Sequence, residues 1–266
     1  MIGARHTVLA GVFGLLTGAA AGLIGVGGGE FRMPLLVHLF RHNIKSAAGV
    51  NLVVGLVTVC LSLFTRWRIN QFYWGDTALA LTFSVLSLAG AVIGARQTHR
   101  LSSRILRAIV CAYLLIVGLW MIFESLSHTE LVLLNPSGLP RLLLASVLGF
   151  VIAAISGALG VAGGEMRIPV LLYLFNVPIK TAGTISLMVS IPTVAAGASV
   201  YRKFGHLPNR VLLVAVSMAI GSVIGVFIGA SFLPFVDKHQ LKAILGLILL
   251  LATIAVALPH WKHERP

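Results

Sequence analysis

Two stretches of the chain carry nearly the same phrase, GVGGGEFRMPLL from Gly25 to Leu36 and GVAGGEMRIPVL from Gly160 to Leu171, at an offset of 135 residues. At that offset Gly25 to Leu52 matches Gly160 to Leu187 at 14 of 28 positions. The register continues without a gap through Gly14 and Gly149, Gly22 and Gly157, Gly90 and Gly225, and Gly94 and Gly229. The chain is therefore read as a duplication, residues 1–135 forming a first repeat and 136–266 a second within one integral unit.

Composition sets the solvent for this duplicated plan. Hydrophobic residues make up 58% of the chain and charged residues 10%, with a mean hydropathy of +1.00. Several apolar runs approach the roughly 20 residues that span a bilayer as a helix. They lack the alternation of barrel strands, and in hydrocarbon a helix satisfies its own backbone. The expected fold is all-α, a polytopic transmembrane bundle of about eight helices in two homologous halves, each with a Gly-rich break and a short half-helix. The spans fall roughly at 7–25, 46–65, 75–95 and 106–123, then 142–160, 181–200, 211–232 and 241–258. The run from Val8 to Gly25 looks like a secretory signal, but its counterpart from Leu142 to Gly160 is mid-chain, so both are read as retained helices.

The arginines at 96, 100, 104 and 107 contrast with the segment from Glu124 to Pro140, which has two glutamates and no Lys or Arg. The positive-inside rule places the first in the cytoplasm and the second outside. Four crossings per half make the halves parallel, whereas a fifth, by Met33 to Phe40, makes them inverted. The formal charge of +13 is scattered over short loops with no aromatic-rich soluble module, which argues against nucleic-acid binding and for contact with anionic lipid headgroups. Those loops can also concentrate an anionic substrate. Cys60 and Cys111 occupy non-equivalent positions and are read as inert core thiols.

The break carries the chemistry. Pro34 and Pro169 are placed to start short helices running to Phe40 and Phe175, since proline is tolerated in a first helical turn. A glycine loop feeding a helix N-terminus exposes N–H groups to an anion, which points to Gly27, Gly28 and Gly29 in the first copy and Gly163 and Gly164 in the second. Arg32 and Arg167 add forked donors suited to an oxyanion. The alternative is a clamp in which Glu30 pairs with Arg32, or with Arg167 across the halves. Glu30 and Glu165 are the only acids in the breaks, and their protonation depends on what else occupies the site, as proton coupling requires. Asn51 and Ser186 occupy equivalent positions from which they donate to a ligand or bond a neighbouring helix.

Other signals are weaker. Lys45 and Lys180 are read as interfacial anchors, and Arg66, Arg68, Arg202 and Lys203 as marks of a membrane surface. His38 and His42 have i, i+4 spacing, but their counterparts are Tyr173 and Val177, so no metal is expected. His260 and His263 are read as a solvated tail. With no His-Glu-x-x-His, Walker loop or nucleophile elbow, neither an enzyme nor a cofactor is expected.

Gly25 to Gly29 with Pro34, and Gly160 to Gly164 with Pro169, each followed by an apolar run and an Ala- and Thr/Ser-containing helix start, resemble the sulfite exporter TauE/SafE family, also called the 4-toluene sulfonate uptake permeases. The resemblance covers nearly the whole chain. It implies a multi-pass transporter of the bacterial inner membrane that moves sulfite or an organosulfonate. The chain departs from the family pattern in carrying Glu and Arg at positions 30 and 32 and their counterparts, in Val50-Asn51, and in Ala162. The expected function is a secondary transporter for a small anion, with an anion channel and a non-transporting scaffold as alternatives. Its expected partners are that anion, the bilayer and protons, with a homo-oligomer allowed.

Overall fold

The long apolar runs close their own hydrogen bonds as helices, and the duplication fixes where they begin and end. The computed structural model describes residues 4–40, 44–72, 77–97, 103–128, 131–205 and 212–257. Its helices are α1 (Ala4–Ile24), α2 (Gly29–His38), α3 (Ile44–Arg68), α4 (Thr77–Gln97), α5 (Ser103–Ser127), α6 (Gly138–Leu159), α7 (Gly164–Phe175), α8 (Ile179–Lys203), α9 (Leu212–Phe232) and α10 (Lys238–Ala257). The bounds of α3 and α8, and those of α4 and α9, differ by the repeat offset at both ends. Among the described residues seven helices, α1, α3, α4, α5, α6, α8 and α9, are long and apolar enough to cross a membrane. The fold is a polytopic helical bundle.

The short helices α2 and α7 follow the breaks, but not from the prolines. Each begins at the last glycine of its break, after a left-handed N-cap at Gly28 (φ 69°) or Gly163 (φ 76°), and Pro34 and Pro169 lie inside. Glycine supplies the left-handed turn without steric cost, so helix initiation moves five residues upstream of the expected point. The Glu and Arg of each phrase thereby become helical residues. Each proline also lacks the N–H that would bond the carbonyl four residues earlier, which belongs to Glu30 or Glu165.

Glycine governs the packing between long helices. A Cβ at Gly14, Gly18 or Gly22 of α1 would collide with the backbone of Met218, Ser222 or Val226 on α9. The same holds at Gly149 and Gly157 of α6 against Phe83 and Ala91 on α4, positions that are the repeat counterparts throughout. Both contacts advance together along the two chains, so α1 runs parallel to α9, and α6 to α4. In lipid such close backbone approach replaces the hydrophobic drive that packs helices in water. Each half thus docks its first helix on the third long helix of the other.

Equivalent helices run antiparallel. Arg66, near the C-terminus of α3, reaches Lys180 and Thr184 in the first turns of α8, while Leu52 near the start of α3 lies against Gly197 near the end of α8. Likewise Glu124 at the end of α5 meets Lys242 at the start of α10, and Cys111 lies near Thr253. His6 at the start of α1 contacts Phe40, just beyond α2, with ring centroids 5.9 Å apart, so the chain returns through α2 to the side on which α1 began. The halves are related as an inverted repeat, not a parallel one.

Three expectations change. Arg66 is fully buried, its guanidinium donating to the carbonyls of Gly22, Leu23 and Lys180 and to Thr184 Oγ1. The exposed carbonyls at the C-terminus of α1 draw it inward; Arg68, Arg202 and Lys203 are exposed as expected. Glu124 is not in a loop but buried, bonded to Lys242 Nζ at 2.7 Å. Cys60 is exposed and Cys111 is half-buried beside α10, so neither is a core thiol, and neither is in a disulfide. The readings of Arg100, Glu130, His42, His260 and His263 lie outside the described residues.

Candidate substrate site at the paired breaks

The two breaks meet face to face. A Cβ on Gly27 would touch Ala162, one on Gly29 would approach Val161, and one on Gly164 would strike the carbonyl of Val26 at 2.5 Å. Gly25 and Gly160 press similarly on Gly183 and Ala48, in the first turns of the opposite half's α8 and α3. The glycines thus bring the N-termini of α2 and α7 together, with their partial positive charge. Glu30, Arg32, Glu165 and Arg167 are all buried there, at 4%, 0%, 2% and 0% exposure.

The carboxylates do not pair with the arginines. Among the described residues the ion pair is Lys242 with Glu124, far along the chain from either break. Neither oxygen of Glu30 accepts from a donor of another residue type, nor does Oε2 of Glu165, and the two carboxyl groups lie within hydrogen-bonding reach of each other. The clamp of Glu30 on either arginine is therefore not formed.

The arginines are anchored instead by neutral acceptors, and unequally. Arg32 donates from Nε to Asn51 Oδ1 (3.0 Å), from Nη1 to Thr58 Oγ1 (3.1 Å) and from Nη2 to the Gly27 carbonyl (2.6 Å). Asn51 in turn donates to the Gly160 carbonyl at 2.7 Å, joining the breaks. Arg167 donates only from Nη1, to the Ser186 carbonyl (3.0 Å) and Ser190 Oγ (2.9 Å). Its Nε and Nη2, with Ser186 Oγ, remain unpartnered. Of eight buried side-chain atoms without a partner among the described residues, six belong to Glu30, Glu165, Arg167 and Ser186. Since buried polar groups are nearly always satisfied, such a concentration marks a place built for something else.

Three substitutions between the repeats bear on the inequality, the first being Asn51, whose Oδ1 accepts from Arg32 Nε, against Ser186, which leaves Arg167 Nε without a partner. Gly27 adopts φ 91° and turns its carbonyl to Arg32, whereas Ala162 stays out of the left-handed region and offers Arg167 nothing. Gly55 leaves room for the Arg32 guanidinium, its Cβ position 3.4 Å from Nη2, while the counterpart Ser190 bonds Arg167 directly. The sequence reading named Gly27, Gly28, Gly29, Gly163, Gly164, Asn51 and Ser186, and all of these lie at the junction. It missed Thr58, Ser190 and Tyr113, whose hydroxyl donates to the Met166 carbonyl at 2.9 Å. Asn51, Thr58 and Thr65 recur every seven residues along α3, a polar stripe on an apolar helix that could have flagged Thr58.

A profile of the family described as "Sulfite exporter TauE/SafE" matches residues 10–257. The chain belongs to the sulfite exporter TauE/SafE family. Proteins similar to it include the "Probable membrane transporter protein YdhB" of Bacillus subtilis, 26% identical over 88% of this chain and 96% of that one. A probable membrane transporter protein of Methanocaldococcus jannaschii is 25% identical over 89% of this chain and 91% of its own. A third, YjnA of Bacillus subtilis, is 23% identical over 91% and 96%. No solved structure matches the chain significantly. This TauE/SafE protein is thus a multi-pass member of a membrane transporter family and not an enzyme.

Proposed function

We propose that the protein is a secondary transporter for a small oxyanion, sulfite or an organosulfonate, with proton coupling at the same site. The observation that carries this reading is the cluster of unpartnered buried atoms where the breaks meet: Nε and Nη2 of Arg167, Ser186 Oγ, both carboxyl oxygens of Glu30 and Oε2 of Glu165. The free edge of Arg167 offers forked donors that match an oxyanion, and the N-terminus of α7 adds backbone dipole. In this reading the carboxyl groups of Glu30 and Glu165 carry the coupled proton. An anion beside a carboxyl group and a proton on it favour one another, and the linkage is reciprocal. Arg32, Asn51 and the glycines frame the site, Arg32 through its three bonds to the protein.

Inverted repeats meeting at a shared break suit alternating access, because exchanging the conformations of the two halves exchanges the open face. The test is flux into proteoliposomes across a panel of sulfite, organosulfonates, thiosulfate and carboxylates, with and without an imposed pH gradient. Saturable uptake of a sulfur oxyanion, accelerated by the gradient and lost in Arg167→Gln, is the expected result. Unitary currents indifferent to the gradient would make the protein a channel, and preference for carboxylates would reject the substrate class.

A further inference from the structure

A second cluster of charge lies away from the breaks, where the end of α5, the α7–α8 connection and the start of α10 converge. They enclose a cavity of about 590 Å³ lined by Glu124, Asn176, Lys180, Thr181, Lys238 and Lys242 among others. Among the described residues of its wall three lysines face one glutamate, an excess of positive charge. Glu124 is fully committed: Lys242 Nζ and the Leu131 amide donate to Oε1 at 2.7 and 3.2 Å, and the Tyr173 hydroxyl donates to Oε2 at 2.7 Å. Lys242, 5% exposed, is thereby fixed in the wall. Lys180 is half-buried and belongs to the first turn of α8, whose N-cap Pro178 provides no side-chain cap. The positive end of a 25-residue helix therefore faces the same space as the lysines.

The cavity connects to the paired breaks through the backbone. The Lys180 carbonyl accepts from Arg66 Nη1, and Arg66 also holds the Gly22 and Leu23 carbonyls at the end of α1, immediately before the first break. Gly183, one turn beyond Lys180, touches Ile24 and Gly25. A ligand at Lys180 thus sits against the element that borders the first break.

We propose that this lysine-lined cavity is a second, weaker oxyanion site, at which the transported anion docks before it reaches Arg167. The proposal rests on the anion-transport reading for the identity of its ligand. A cationic concavity with apolar walls raises the local concentration of an anion and speeds its capture, an effect that salt screens. Neutralising one lysine of such a site lowers capture without touching the translocation step.

Sulfite is the probe. In proteoliposomes, Lys180→Gln and Lys238→Gln are each expected to raise KM for sulfite about threefold to tenfold at low salt with little change in kcat, the difference shrinking as salt rises. Calorimetry on detergent-solubilised protein decides the site independently of transport. Arg167→Gln should retain weak sulfite binding, and Arg167→Gln combined with Lys180→Gln should lose it while remaining as thermally stable as the single variant. Absence of residual binding in Arg167→Gln, or residual binding indifferent to Lys180→Gln, overturns the docking site even where wild-type flux upholds the transporter. If wild-type liposomes move no sulfite while calorimetry still finds the Lys180-dependent site, the transport reading fails and the cavity stands as an anion site.

Discussion

Arg32 and Arg167 occupy equivalent positions in the two halves, yet Arg32 engages all three of its nitrogens with protein acceptors while Arg167 leaves Nε and Nη2 without any. Duplication supplied two arginines, and later divergence at Asn51 against Ser186, Gly27 against Ala162 and Gly55 against Ser190 separated their surroundings. One anchors the junction between breaks through Asn51 and Gly160. The other presents an open edge.

Substituting the two arginines should therefore give different defects. Arg32→Gln leaves Thr58 and the Gly27 carbonyl short of a donor and is expected to cost about 1–3 kcal/mol of stability. Arg167→Gln should keep near wild-type stability and lose about tenfold to a hundredfold in oxyanion affinity, since charge-assisted bonds contribute about 1.5–3 kcal/mol. Thermal unfolding in detergent, alongside binding per folded molecule, separates the two. Equal stability losses with unchanged affinity would make both arginines framework.

Proton coupling should reside in the glutamates. Glu30→Gln with Glu165→Gln fixes both side chains in a form resembling the protonated state, so pH-gradient acceleration of uptake should vanish while substrate exchange persists. Measuring gradient-driven uptake and counterflow in liposomes checks this. Undiminished acceleration in the double variant would remove the glutamates from the coupling path.

The inverted arrangement has a direct test. Lys203 at the end of α8 and Gln97 at the end of α4 should lie on one membrane face, and Ser127 at the end of α5 on the other. After replacing Cys60 and Cys111, single cysteines at these exposed positions should show Lys203→Cys and Gln97→Cys labelled together by an impermeant reagent, with Ser127→Cys labelled from the opposite side. A parallel repeat with four crossings per half would instead put position 203 with position 127.

Helix packing predicts which glycines are replaceable. Gly94→Val and Gly229→Val place a side chain against the backbone of Ala154 and Ala19, which cannot recede, so each should destabilise by about 1–3 kcal/mol or more. Gly11→Ala meets only the Ser217 carbonyl at 3.8 Å and should be tolerated. Unfolding in detergent with a fixed lipid content compares them, and equal effects would argue against close helix approach.

Much of this architecture was legible in the residues. The repeat offset located the long helices because glycine stripes, apolar runs and the charged phrase all obey it, and the break and its charged residues did converge. The starts of α2 and α7 were not legible: Pro34 and Pro169 mimic first-turn prolines, and only the left-handed Gly28 and Gly163 reveal the earlier start. Arg66 escaped because an arginine near a helix end looks like a surface residue, and its acceptors are carbonyls 43 and more positions away. The inequality of the arginines was invisible in two phrases that spell alike. It depends on residues of other helices, and on one carbonyl that glycine can turn and alanine cannot.

The parallel docking of α1 on α9 and α4 on α6 bears on how the molecule is made. During synthesis the first half enters the membrane with Gly14, Gly18 and Gly22 facing lipid, because the surface they fit, on α9, is among the last to be translated. Helices α1, α4 and α5 must wait, inserted but unmated, until their partners arrive from the second half. A ribosome that stops at the midpoint therefore leaves an orphan, recognisable to quality control by its bare glycine grooves, and the two halves supplied as separate chains should survive only together.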